Sequence, residues 1–148
     1  MIAKALRKAR TMSWQEWQLL MAAARLALFV EIALRVLRFD VLLARLDAVS
    51  VRLEPFSRLG RSDACHPSRA ACAHAVDLAY RLLRLPRTCL TESLALFGLL
   101  RRQGIDARFW LGVRKEGERL AAHAWVQRED TPLEWTDESY LPLPIPGP

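Results

Sequence analysis

Apolar positions in the first third of the chain recur at helical spacing. Over residues 14–47 they predict a long amphipathic helix or a helix pair, with Leu28, Ile32, Val36, Phe39 and Leu43 on one stripe. Glu31, Arg35, Arg38 and Arg45 fall on a second stripe, and Glu31 and Arg35 are spaced to pair across one turn. The apolar stripe is expected to pack on the domain and the charged one to be solvated; docking of a partner or a membrane surface is the competing use. Turn chemistry then dominates residues 49–67, through Pro55, Gly60, Ser62, Asp63 and Pro67. A further helix is expected over residues 68–83, where Cys72, Val76, Ala79 and Leu83 repeat every three or four positions and Pro86 follows the end. The next should start at Cys89 or Leu90 and run to about Gln103, with Gly104 closing it and Arg101 and Arg102 at the negative end of its dipole.

Past Gly104 the period shortens to two. Strands are expected over residues 107–113, 121–127 and about 132–136, the first two joined by a hairpin turn at residues 115–119 centred on Gly117. The proline-rich stretch 141–148 cannot join a central strand. The order predicts an α+β fold of N-terminal helices followed by a core in which a helix packs on a small antiparallel sheet.

A chain of 148 residues, 52% of them hydrophobic, suits one domain over residues 1–148, with a helical part at 1–60 and a core at 65–143. The net charge of +6 favours anionic partners without choosing among nucleic acid, lipid and acidic peptide. Three cysteines leave at least one thiol free, which fits a reducing, cytoplasmic setting. Gln15, Glu16 and Gln18 interrupt any signal-peptide core, and Arg25, Glu31, Arg35 and Arg38 break residues 19–39, so no transmembrane segment is expected.

The chemistry-bearing residues come in a telling order. Cys89 lies at a predicted helix start, where the macrodipole favours a thiolate. His123 follows on a strand and Asp137 beyond it, the parts of a cysteine acyl-transfer site with nucleophile, acid-base and orienting carboxylate. Strand alternation puts His123, Trp125 and Gln127 on one face and Ala122, Ala124 and Val126 on the other. Trp135 and Asp137 share a face of the next strand, so antiparallel pairing would set Asp137 beside His123, with Trp125 and Trp135 walling a substrate cleft. Glu134 and Asp130 are rivals for the carboxylate. Each residue also has a structural reading: a core thiol, a hydrogen-bonded histidine, a solvated acid. Cys65, His66, Cys72 and His74 have poor zinc spacing, and Cys72 sits on an apolar stripe, so no metal and no cofactor are expected.

The run Cys89-Leu90-x-x-Ser93-Leu94-Ala95-Leu96, with Leu99-Leu100-Arg101-Arg102-Gln103-Gly104-Ile105-x-Ala107-Arg108, Gly112-Val113 and Ala122-His123-Ala124-Trp125-Val126, resembles the lasso-peptide maturation B proteins. So does an aspartate ahead of Tyr140-Leu141-Pro142-Leu143, and the form resembled is the one without a fused leader-recognition domain. Gln127 departs from the family, which carries glutamate there. The resemblance implies a transglutaminase-like, papain-related cysteine protease that removes the leader from a precursor peptide, with Cys89 as nucleophile, His123 as acid-base and Asp137 as orienting residue. The partners it implies are the precursor's leader and core, a separate leader-recognition protein and a lasso cyclase. Two alternatives remain: a transglutaminase that resolves the same thioester with an amine, and a non-catalytic nucleic-acid-binding helical module using Arg35, Arg38, Arg45, Arg52 and Arg58. Scattered basic residues and the lack of a recognition motif argue against nucleic acid as a partner.

Overall fold

The computed structural model describes residues 12–51, 67–128, 131–132 and 140–143. Four helices come first among them: α1 (Trp14–Val36), α2 (Phe39–Val51), α3 (Arg69–Leu83) and α4 (Cys89–Arg102). A four-stranded sheet follows, built from β1 (Arg108–Glu116), β2 (Arg119–Arg128), β3 (Thr131–Pro132) and β4 (Leu141–Pro142) in the order β3-β2-β1-β4. Every described pairing is antiparallel. The α+β expectation therefore holds.

Local chemistry sets the boundaries. Ser13 caps α1 and exchanges hydrogen bonds with Glu16, so two otherwise orphaned groups are satisfied at once. The break at Leu37 makes the expected N-terminal helix a pair. Ser68 caps α3 through the Ala71 N–H. Gly104, just past α4, has φ +71°, which costs glycine little. Gly117 has φ +63° and opens a two-residue hairpin turn, the arrangement a type II′ turn requires, so β1 and β2 extend further toward it than their apolar alternation indicates. Among the described residues Leu141 and Pro142 pair only with β1, at the sheet margin, the position where proline's missing N–H does no harm.

Helix α4 is the centre of the molecule. All eight residues from Ser93 to Leu100 are buried, so this helix is apolar on every side and is enclosed by α1, α2, α3 and the sheet. Phe97 meets Phe109 of β1 edge-on at 6.3 Å between centroids. Gly98 lets α1 and α2 approach, because a Cβ there would stand 3.0 Å from Leu46 and 3.3 Å from Leu26. Arg101 reaches Asp47 at 2.7 Å and fixes the end of α4 to α2.

The orientation expected for α1 is overturned. Leu28, Ile32 and Val36 face solvent, while Leu19, Leu20, Ala23, Leu26, Ala27 and Val30 form the packed side. Glu31, expected in water, is buried, although its pairing with Arg35 is present at 3.6 Å. The reason is that α1 is apolar on two opposite faces. The face with Ala23, Ala27 and Val30 is the smoother one and admits close approach of α3 and α4. None of the described helices is long and apolar enough to cross a membrane.

Candidate functional site

Cys89 is the first residue of α4 and is partly exposed, packed against the edge of the core. Four interactions hold this helix start. Thr88 caps it in a reciprocal box with Thr91, at 3.1 Å to the Thr91 N–H and 3.3 Å in return. The buried Tyr80 hydroxyl donates to the Thr91 carbonyl at 2.9 Å. Arg87 bridges Asp77 of α3, at 2.9 Å, and Glu92 of α4. The hydrogen bond to Glu92, helped by Asp77, raises the Arg87 guanidinium above its ordinary pKa and so keeps the bridge charged. With the Thr91 N–H given to Thr88, the backbone N–H groups of Cys89 and Leu90 have no partner among the described residues and are left for an incoming acceptor.

The fourth interaction ties helix to sheet. Ser93, wholly buried, donates from its hydroxyl to the Ala124 carbonyl of β2 at 2.9 Å. The opposite residue on β1, Leu111, gives its carbonyl outward to the Leu143 N–H, which marks Leu111 and Ala124 as a non-hydrogen-bonded pair. Ala124 therefore presents its carbonyl to the side of β2 away from β1, where Ser93 takes it. Cys89 lies one turn, about 6 Å of backbone, before Ser93 on the same side of the helix. His123 is the residue before Ala124. This one bond thus ties the helix that begins at Cys89 to the strand that bears His123.

The faces of β2 fall as the alternation predicts. Ala124 and Val126 enter the core, and His123 and Trp125 stand on the other side. There an aromatic row runs from Tyr140 to His123 (5.4 Å), Trp125 (6.1 Å from His123) and Trp110 (6.4 Å from Trp125). Arg114 lies 4.7 Å over the Tyr140 ring as a cation–π contact. Gly112, paired directly with His123, leaves room for this row, since a Cβ there would fall 2.8 Å from the Trp125 ring. His123 is held by ring contacts and makes no hydrogen bond to Cys89 among the described residues.

Asp137 and Trp135 lie outside the described residues, as do the rivals Glu134 and Asp130 and the Cys65 and His66 of the poor zinc pattern. Of that pattern, Cys72 is fully buried in the core, and burial pushes its thiol up to about 11, while His74 is exposed. The sequence reading missed Ser93, Tyr80 and the Arg87 bridge. A threonine three residues after Thr88 was the visible sign of the cap, whereas a serine inside an apolar run announces no partner.

Two consequences can be measured. Iodoacetamide at neutral pH should label Cys89 far faster than Cys72, because reagent reaches one sulfur and not the other; peptide mapping that finds equal rates would contradict the burial of Cys72. Ser93→Ala should cost roughly 1–2 kcal/mol by leaving the Ala124 carbonyl unpaired, seen as a fall in Tm of about 2–8 °C. An unchanged Tm would show that the tie contributes nothing.

The chain matches the Transglutaminase-like superfamily over residues 33–142, from the last turn of α1 to β4, and it belongs to that superfamily. The class is one of cysteine proteases and acyl transferases. No curated protein and no solved structure matches it.

Proposed function

We propose that the protein is a cysteine peptidase that removes the leader from a lasso-peptide precursor through a Cys89 thioester. The observation that carries the reading is the Ser93–Ala124 bond, which joins a capped helix start bearing a partly exposed cysteine to the strand bearing His123. The motifs around Cys89 and His123 and the superfamily membership supply the reaction class. Tyr140, three residues after Asp137 in the chain, touches the His123 ring.

In this mechanism the Cys89 thiolate attacks the carbonyl carbon of the scissile bond. The backbone N–H groups at the start of α4 face the developing oxyanion. Imidazolium at His123 gives its proton to the leaving amine as the C–N bond breaks, leaving a thioester and neutral imidazole. A water then loses a proton to His123 as its oxygen forms the new C–O bond, and the C–S bond breaks to return the thiolate and imidazolium. Asp137 orients the imidazole. Hydrogen bonds between catalytic groups commonly tighten only when substrate binds, and this mechanism requires the His123 ring to leave its contacts with Trp125 and Tyr140 and reach the sulfur in the complex.

The test is incubation of the purified protein with a lasso precursor and a separate leader-recognition protein, read by mass spectrometry. A single cleavage at the leader–core junction, with a hydroxylamine-sensitive adduct on Cys89, is the expected result. Transfer of an added amine without hydrolysis would move the assignment to a transglutaminase; an intact precursor would remove the peptidase.

A further inference from the structure

We propose that the outer face of α1, with the groove it forms against α2 and α4, is a docking surface for an acidic amphipathic helix of a partner protein. Trp14, Trp17, Met21, Leu28 and Ile32 follow one another at spacings of three, four, seven and four, a single stripe along the helix. All are exposed, Trp14 at 76% and Ile32 at 61%, on the side opposite the packed one. Scattered exposed leucines are ordinary on a protein surface, but five exposed apolar side chains, two of them tryptophans, aligned along one helix are the pattern of an interface.

The stripe borders a concave seat. One depression, of about 740 Å³, is floored by Leu26, Phe29, Leu46 and Gly98 between the three helices. A second, holding Trp14, Trp17 and Met21, continues from it, and both are walled by Arg25 and Arg102. From Trp14 to Phe29 the seat runs about 22 Å, the length of a four-turn helix. Arg45 completes the basic wall of the first depression. Arg25, Arg45 and Arg102 are exposed, and none has an ion-pair or hydrogen-bond partner among the described residues, whereas Arg35, Arg81, Arg87 and Arg101 all do.

An apolar floor between arginines that have no partner among the described residues calls for apolar side chains on one face of the occupant and carboxylates beside them, which is helix-in-groove recognition with charges fixing the register. A second copy of this chain fits badly, since each copy carries a net charge of +6. Nucleic acid would meet tryptophan and leucine where phosphate needs cations, and a flat headgroup layer does not fill a concave floor.

The probe is a fluorescein-labelled helical peptide of about 16 residues with leucines at i, i+3, i+4 and i+7 and glutamates elsewhere. Fluorescence anisotropy should show saturable binding that weakens with salt, to the wild type and equally to Cys89→Ala, which separates this surface from the catalytic reading. Arg25→Glu with Arg102→Glu should weaken binding by roughly tenfold or more, and Trp17→Gln should also weaken it. If the double charge reversal disturbs the circular dichroism spectrum, Arg25→Gln with Arg102→Gln replaces it. Equal binding of the matched lysine peptide, or acidic-peptide binding indifferent to both sets of substitutions, would overturn the proposal. So would capture by phosphatidylglycerol vesicles of a protein that ignores the acidic peptide, which would make the face a membrane contact.

Discussion

Cys89→Ala is expected to abolish leader removal, with a loss of about 10⁴-fold or more, and His123→Ala to come close to it. Without the sulfur no covalent intermediate forms. Without the imidazole the amine leaves unprotonated and water attacks unaided. The two losses should not add, because both residues serve the same bond-breaking step, so the double variant should be no worse than the more severe single one. Both variants should keep the melting temperature of the parent, since Cys89 is only partly buried and His123 makes ring contacts without a buried hydrogen bond. Asp137→Ala should be damaging to a lesser degree, as an orienting group costs less than a nucleophile. Full turnover by His123→Ala, or a larger loss for Glu134→Ala than for Asp137→Ala, would require the roles to be reassigned.

The second large effect is alkaline destabilisation. Burial raises the Cys72 thiol from 9.0 to about 11 and the Tyr80 phenol from 10.0 to about 12. Both are acids whose neutral form the fold prefers. Above pH 9 the unfolded chain gives up protons that the folded chain keeps, so the unfolded state binds fewer protons and stability falls as pH rises. The loss begins near pH 9 with Cys72, is joined by Tyr80 from about pH 10, and is complete near pH 12. A shift of two units corresponds to about 3 kcal/mol for each group. Urea unfolding at pH 8 and pH 10.5 should show the drop, and Cys72→Ala should remove its lower half. A stability that stays flat to pH 11 in the parent would contradict the buried placement of both residues.

Much of this fold was legible in the sequence because its signals were local. The extent of α3, expected over residues 68–83, the start at Cys89 and the glycine after α4 fall where residue chemistry put them. Position 117 turns the hairpin as its glycine requires. Periodicity failed where two faces competed. In α1 both sides read as apolar, and what decided between them was the size of the side chains that α3 and α4 could approach, a property of the packed assembly. The Ser93 tie was hidden for a similar reason: its partner is a backbone carbonyl 31 residues away, which no pattern in either segment records. Around the candidate site, the separate faces of β2 were readable from alternation. The Trp110, Trp125, His123 and Tyr140 row was not, because it joins three strand regions that are distant in sequence.

The margins of the sheet have a bearing on how the molecule behaves in a crowded solution. The outermost described strands, β3 and β4, are two residues long, and each ends in a proline, Pro132 and Pro142. A stranger's strand arriving at β3 or β4 itself finds two residues to grip and lacks a donor at the second of them. At Ala124, beyond the reach of β3, the Ser93 hydroxyl already occupies the outward carbonyl. At these three points, β3, β4 and the Ala124 carbonyl, the described margin resists growth by pairing with a second sheet.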